Sequence, residues 1–307
     1  MSDRIRISIY RDWQGLNSGN TYWKDHTSVA MHDIEDLPQF RGWLHFTDID
    51  TNPTMKNTYA EDAGVDGSRF EYNSYSKTQV KLSFYFEFDS YREYIEKKHD
   101  IQAYFSARAG FVIETNYHPA IRARCYISKI DIKPTSDHIA VFDVTLDNAL
   151  GMWTTNNTQQ MEERWNSAYF YDLQLPTSMR NAPTWSIGPG HNDVYIAGDL
   201  TVKMTNPIMT TNVFVYGAGS KVSVINHTNG TILEADTQGK YSGDFAWMNL
   251  DFGQVQNVHS ENNQIDLMSL NQYSNALDFW LSPGWNDIEL QGASSGYIDT
   301  GFYFVNI

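Results

Sequence analysis

The sequence predicts a mainly β protein. An α+β domain, built as a β-sandwich with one helix and a β-hairpin, is followed by an all-β sandwich. Two observations predict the first part: apolar residues alternate with period two through Thr78–Phe88, Ala120–Lys133 and His138–Asp147, and the stretch after Ser90 switches to helical spacing. A third predicts the second part. From Val194 onward, short strand patterns separated by Gly, Pro, Asn and Ser turns continue to the end with no convincing helix among them.

Residues 1–65 are the least regular. Strand-like stretches at Ile5–Tyr10 and Trp43–Thr47 are separated by polar segments, so long irregular connections are expected; long loops in a compact domain are often binding surfaces. Thr78–Phe88 is clearer, with Val80, Leu82, Phe84, Phe86 and Phe88 on one face and Lys81, Ser83, Tyr85 and Glu87 on the other, a half-buried strand. Asp89-Ser90-Tyr91-Arg92-Glu93 then supplies a capping box: the Ser90 hydroxyl accepts from the Glu93 amide, and the Glu93 carboxylate reaches back to the Ser90 amide. The helix is expected to carry Tyr91, Tyr94, Ile95, Ile101 and Phe105 along one stripe, with Arg92, Glu96 and Lys97 opposite and Gly110 as its stop. From Ala120 the apolar positions are Ile121, Ala123, Cys125 and Ile127, then Ile130 and Ile132. That change of parity within one run predicts a bulge near Ser128 and Lys129. Pro134-Thr135-Ser136-Asp137 turns the chain into His138–Asp147, with Phe142, Val144 and Leu146 inward.

The boundary is placed after Leu146, where Asp147–Trp153 gives way to the polar run Thr154–Gln160. This gives an N-terminal domain of residues 1–150, a linker of residues 151–184 and a C-terminal sandwich of residues 185–307. The linker holds a short helix within Met161–Tyr171 and an extended or turn-rich stretch from Pro176 to Pro183. Strands are then expected at Val194–Ala197, Leu200–Met204, Asn212–Tyr216, Lys221–Asn226, Thr231–Glu234, Phe245–Phe252, Gln264–Met268, Ala276–Leu281, Asp287–Gln291 and Phe302–Ile307. The last has two courses open to it, closing the second domain or returning to the first. No sequence repeat or low-complexity tract is read.

Length and composition fit a folded chain of two domains, with 41% apolar and 14% aromatic residues. No apolar run approaches the roughly 18 residues needed to cross a membrane, and Met1–Arg6 lacks the hydrophobic region of a secretory signal, so a soluble protein not exported by that route is expected. The single cysteine, Cys125, excludes an internal disulfide and is expected to be a small buried hydrophobe. The net charge is −15, and no basic residue follows Lys240. A phosphate-binding surface of Lys and Arg is therefore not available in the C-terminal part, which disfavours nucleic-acid binding.

The motifs give little chemistry. Asp48-Ile49-Asp50-Thr51-Asn52 starts like a calcium loop, yet Pro53 stands where the sharp turn needs Gly and Tyr59 where a bidentate Glu belongs. Tyr216-Gly217-Ala218-Gly219-Ser220-Lys221 lacks the upstream Gly of a phosphate loop and is flanked by strands, so it is read as a hairpin turn. The nine histidines never pair at i, i+2 or i, i+4; only a zinc site assembled from distant residues is left open. There is no Gly-x-Ser-x-Gly elbow, and the sequons at Asn156, Asn226 and Asn229 are read as turns. No catalytic residue, cofactor or metal site is assigned. Among aromatics, Trp280 is the candidate contact for a carbohydrate or a partner: Leu277, Phe279 and Leu281 take one strand face and leave Trp280 on the other, where its ring can stack on a sugar or pack under a neighbour. Trp247 and Trp285 are read as packing residues.

Several of these segments together resemble the distal tail protein of long-tailed, siphovirus-type bacteriophages that infect Gram-positive bacteria. They are Asp66–Phe70 leading into Tyr72–Phe88, the helix from Ser90, the Ile121–Lys133 strand, the hairpin closing at Asp143–Leu146, and Leu281-Ser282-Pro283-Gly284-Trp285-Asn286-Asp287-Ile288. Residues 10–65 depart most from that pattern. The resemblance implies an N-terminal domain that closes a homohexameric ring around a channel and a galectin-like or carbohydrate-module-like C-terminal domain. The ring would join the tail tube protein to the tail tip and receptor-binding proteins at the distal end of the virion tail, after synthesis in the host cytoplasm. DNA would pass through the channel without specific binding, no membrane would be engaged, and no catalytic residue is implied. Two other readings compete. A carbohydrate-binding module or lectin would use Trp280 on host cell-wall glycan, and a glycoside hydrolase would need two carboxylates at a defined separation.

Overall fold

The computed structural model describes residues 7–12, 32–60, 68–106, 110–163, 165, 167–180, 183–204, 206, 209, 211–236, 239, 242–251, 254–259 and 279–305. The chain is mainly β and divides into two units by its backbone contacts. The first runs up to Trp153 and is joined by Val305; the second runs from Thr154 to Phe304.

The first unit contains β1 (Ile7–Asp12), β2 (His32–Asp33), β3 (Leu44–Asn52), β4 (Met55–Ala60), β5 (Arg69–Tyr75), β6 (Thr78–Glu87), α1 (Tyr91–Phe105), β7 (Gly110–Thr115), β8 (Arg122–Pro134) and β9 (Ile139–Asn148), and β10 (Trp153–Thr154) marks the boundary. Its main sheet follows the order β2-β1-β7-β8-β9-β6-β3, antiparallel throughout. The alternation read in β6 is real: Val80, Leu82, Phe84 and Phe86 are fully buried, and Lys81 and Lys77 on the other face pair with Asp143 and Asp147 of β9 at 2.9 Å each. Phe84 stacks on Phe142 of β9 at 5.4 Å between centroids, and Tyr94 of α1 both stacks on Phe86 and donates its hydroxyl to the Ile132 carbonyl of β8 at 3.0 Å. The bulge falls where parity changed. Ile127 pairs with Leu146 and Lys129 with Thr145, which leaves Ser128 as the extra residue.

The start of α1 follows the capping logic with one shift. The Ser90 hydroxyl accepts from the Glu93 amide at 3.3 Å, but the Glu93 carboxylate takes the Asp89 amide at 2.8 Å. A hydrogen bond from Lys97, then that amide, holds Glu93 below the usual carboxylate range. Two features of the helix differ from expectation. Tyr91 and Ile95 are exposed, at 72% and 44%, and the buried stripe is Tyr94, Ile101, Tyr104 and Phe105. At about 100° per residue, Ile95 lies well round the helix from the line through Tyr94, Ile101 and Phe105, and Tyr91 sits in the first turn. The helix also ends earlier, at Phe105, with the Ser106 amide closing on the Gln102 carbonyl; Gly110 opens β7.

The second unit begins with α2 (Thr158–Glu163) and α3 (Ser167–Asp172), two short helices where one was expected. It continues with β11 (Ser186–Ile187), β12 (Gly190–Ile196), β13 (Val202–Lys203), β14 (Thr211–Ala218), β15 (Lys221–Asn226), β16 (Thr231–Asp236), β17 (Gly243–Asp251), β18 (Gln254–His259), β19 (Trp280–Leu281), β20 (Gly284–Gln291), β21 (Ser295–Thr300) and β22 (Tyr303–Phe304). One sheet runs β11-β21-β14-β17-β18 and a second β12-β20-β15-β16, with β13-β19 as a separate pair. Trp185 ties the two larger sheets together. Its indole donates to the Tyr195 carbonyl of β12 at 2.8 Å, while its own carbonyl accepts from Ile298 of β21 at 3.1 Å. Strands β11, β18 and β21 were not foreseen, and the strand expected at Gln264–Met268 lies outside the described residues.

Where no repeat was read, the structure pairs one. Gly188-Pro189-Gly190-His191-Asn192-Asp193 and Ser282-Pro283-Gly284-Trp285-Asn286-Asp287 share Pro-Gly-x-Asn-Asp and lead into the antiparallel partners β12 and β20. Each asparagine holds its own turn as a backbone mimic. The Asn286 amide donates to the Ser282 and Gly284 carbonyls at 2.8 and 3.1 Å while its oxygen accepts from the Ser282 amide at 3.0 Å; Asn192 does the same to Gly188 and Gly190 at 2.8, 2.7 and 2.8 Å. Gly190 and Gly284 occupy equivalent left-handed positions, φ +85° and +89°, which a side chain would strain.

Candidate functional surface

Two surfaces stand out, one on each unit. On the first, β4 and β5 form a separate two-stranded ribbon in which Met55 pairs with Tyr75, Thr58 with Tyr72 and Tyr59 with Phe70. Neither face of the ribbon is buried. Met55, Tyr59, Phe70 and Tyr72 are between 47% and 58% exposed, and Tyr59 and Phe70 meet edge to face at 5.9 Å. A two-stranded hairpin is marginal by itself in water, and a cluster of large exposed apolar groups marks an interaction site. The calcium-like Asp48–Asn52 segment lies just before the ribbon as the end of β3, paired strand to strand with β6, and is not a loop.

On the second unit the functional candidates lie on the outer face of β12-β20-β15. Alternation puts Asn286, Ile288 and Leu290 inward and Trp285, Asp287 and Glu289 outward on β20. Opposite them on β12, Tyr195 pairs with Trp285, Asp193 with Asp287 and His191 with Glu289. Trp285, half exposed, meets Tyr195 at 5.2 Å edge to face. His191 Nδ1 lies 2.8 Å from Asp287 Oδ1, and His227, in the turn after β15, puts Nε2 2.8 Å from Glu289 Oε2. The two imidazoles stack at 4.9 Å. The Asp287 hydrogen bond, and then its charge, push His191 above the usual histidine range. Glu289 is held below the usual carboxylate range by hydrogen bonds from Gln291 and then His227.

Trp280, the residue singled out from sequence, sits apart on β19. It is partly exposed, Lys203 of β13 lies over its ring at 5.9 Å, and its carbonyl accepts from the side chains of Asn226 and Asn229 at 3.1 and 2.8 Å. Phe279 and Leu281 are buried as expected for the opposite face, while Leu277 lies outside the described residues. Trp247 is fully buried, whereas Trp285 faces outward, which sequence reasoning passed over because a strand's period tells which residues share a face and not which face is covered. Cys125 is buried, and burial pushes its thiol up. The phosphate-loop look-alike is the turn from β14 to β15, and the Gly217 amide already donates to the Asp244 carboxylate at 2.7 Å. Among the described residues no helix is long and apolar enough to cross a membrane.

The architecture defines a class: a two-unit, mainly β chain with one long helix in the first unit and a pair of facing sheets in the second. Among solved structures, this chain is similar to the SPP1 Dit (gp 19.1) protein, described as a paradigm of the hub adsorption apparatus in Gram-positive infecting phages. The TM-score is 0.57 at 10% identity, over 96% of this chain and 99% of that one. A chain of the phage P2 baseplate in its activated conformation with Ca aligns more loosely, with a TM-score of 0.39 at 10% identity over 97% of this chain and 98% of that one. No protein-family model and no curated protein matches the sequence. At 10% identity the first likeness establishes a shared fold, end to end.

Proposed function

We propose that the chain is a structural component of a phage tail tip or baseplate, a hub that assembles with copies of itself into a ring and joins the tail tube to tip and host-recognition proteins. One observation carries this reading. The fold shared with the SPP1 Dit protein covers both units, whereas a shared sugar-binding module would account for the second alone. The uncovered β4–β5 ribbon supports self-assembly, because a ring closes through head-to-tail contacts between different patches and needs an apolar surface that a monomer leaves bare. Six copies is the number the resemblance implies. The role is structural rather than enzymatic, and its place is the distal end of the virion tail. A net charge of −15 suits a hub through which DNA passes without being held.

Light scattering and electron microscopy of the purified chain test the proposal. A closed ring is expected, and replacing Tyr59 and Phe70 by Ser is expected to weaken it without lowering the thermal midpoint of the subunit. A strict monomer at high concentration that also fails to bind tail proteins would overturn it.

A further inference from the structure

We propose that His191, His227 and Glu289 form a binding site for a divalent transition-metal ion such as Zn2+ on the outer face of the second unit. One ligand atom from each of the three lies within 4.8 Å of the others. They come from three neighbouring places in one sheet: β12, the turn after β15, and β20 between them. Two imidazoles and one carboxylate are the donor set of an open zinc centre, with a fourth position left for water.

Asp287 supplies the second part of the argument. An ionised carboxylate can only accept, so its 2.8 Å contact places the proton of neutral His191 on Nδ1 and leaves the Nε2 lone pair bare. That lone pair faces Glu289 Oε2, another acceptor, at 4.0 Å. In the neutral ring two acceptors are then turned toward each other, a repulsion relieved either by a proton on Nε2 or by a metal ion held between them. In a tetrahedral zinc centre, ligand atoms stand about 3.3 Å apart. The separations of 4.0 Å from His191 and 2.8 Å from His227 to the same Glu289 oxygen bracket that value. For both lone pairs to converge on one ion, the rings must open from their 25° stack and His227 must give up the Nε2 proton it donates to Glu289, keeping a proton on Nδ1; both rings are exposed, so side-chain rotation and proton exchange with water suffice.

The test is titration of chelator-treated full-length protein with Zn2+ alone by calorimetry near neutral pH, with Mg2+ as the contrasting ion. One saturable Zn2+ per chain is expected, with Co2+ giving the visible absorption of tetrahedral coordination. His191→Ala, His227→Ala and Glu289→Gln should each weaken binding by more than about 100-fold and Asp287→Asn by about 10- to 100-fold. His99→Ala, an exposed histidine on α1, should leave binding unchanged. Thermal melting in chelator should be the same for all variants, which separates lost binding from lost folding. Absence of saturable Zn2+ binding by the wild type, or binding retained in the His191→Ala, His227→Ala double variant, would overturn the proposal.

Discussion

Replacing Asn286 by Ala is expected to destabilise the second unit more than any exposed substitution on the same strand. The side chain is fully buried and makes four hydrogen bonds of 3.1 Å or less, two donated to the Ser282 and Gly284 carbonyls and two accepted from the Ser282 amide and Asn226 Nδ2. At about 1 kcal/mol net for each bond, the loss is about 4 kcal/mol, and the stranded Ser282 amide keeps it from being recovered. Its counterpart Asn192 makes a similar set of bonds but is only partly buried, so water replaces some of them and about 2 kcal/mol is expected for Asn192→Ala. Asn286→Asp keeps both accepting contacts and sets a second oxygen, charged and buried, against two carbonyls; it should cost at least as much as Ala. Urea unfolding followed by tryptophan fluorescence reads this unit through Trp185 and Trp247, both buried in it, with wild type measured alongside to set the contribution of the buried Trp153 of the first unit. A cost for Asn286→Ala within the roughly 0.5 kcal/mol of a neutral surface change, or below that of Asn192→Ala, would refute the reasoning.

Two further predictions concern the bulge and a buried carboxylate. Deleting Ser128 leaves Lys129 opposite Thr145 and Ile130 opposite Val144, as now, so the fold should survive it. Deleting Asp131 removes the same length but forces Lys129 to the Val144 position, and should cost more than about 3 kcal/mol; equal thermal midpoints for the two deletions would contradict the assigned bulge. Asp299 of β21 is largely buried where it accepts from the Asn157 side chain at 2.8 Å and the Gln159 amide at 3.2 Å at the start of α2. Burial raises it above the usual carboxylate range despite those bonds. The folded state therefore binds its proton more tightly than the unfolded chain, and the stability this contributes is full below the unfolded value and lost as pH rises through the folded one. Asp299→Asn does not titrate, so its stability relative to wild type should rise across that window in acid-to-neutral denaturation curves. A difference that stays flat with pH would count against the buried-carboxylate assignment.

What could be read from the sequence was what a local period decides. The faces of β6 and β9, the Ser90 cap and the Ser128 bulge each follow from residues within a few positions of one another, and all three appear where the pattern put them. The β4 strand, Met55–Ala60, fell in the stretch read as irregular because neither face of the β4–β5 ribbon is buried, and without a core side there is no pressure toward alternation. The stripe on α1 was misjudged at Tyr91 and Ile95 because apolar character alone does not say where along a helix the sheet is met.

The outer-face cluster was hidden for a different reason. Asp287 and Glu289 share a face by period two, as do His191 and Asp193, and that much could be seen in the sequence. Their meeting depends on register, since a one-residue slip between β12 and β20 would send either set to the opposite face. Register here is set by the paired Pro-Gly-x-Asn-Asp turns. Asn192 and Asn286 each fold the chain back on itself at a fixed residue, and Asn286 also accepts from Asn226, which binds the end of β15 to β20 next to His227. The buried amide network on the inner side of the sheet thus decides which side chains face each other on the outer side. A five-residue repeat too short to be noticed as a repeat is what brings His191 opposite Glu289.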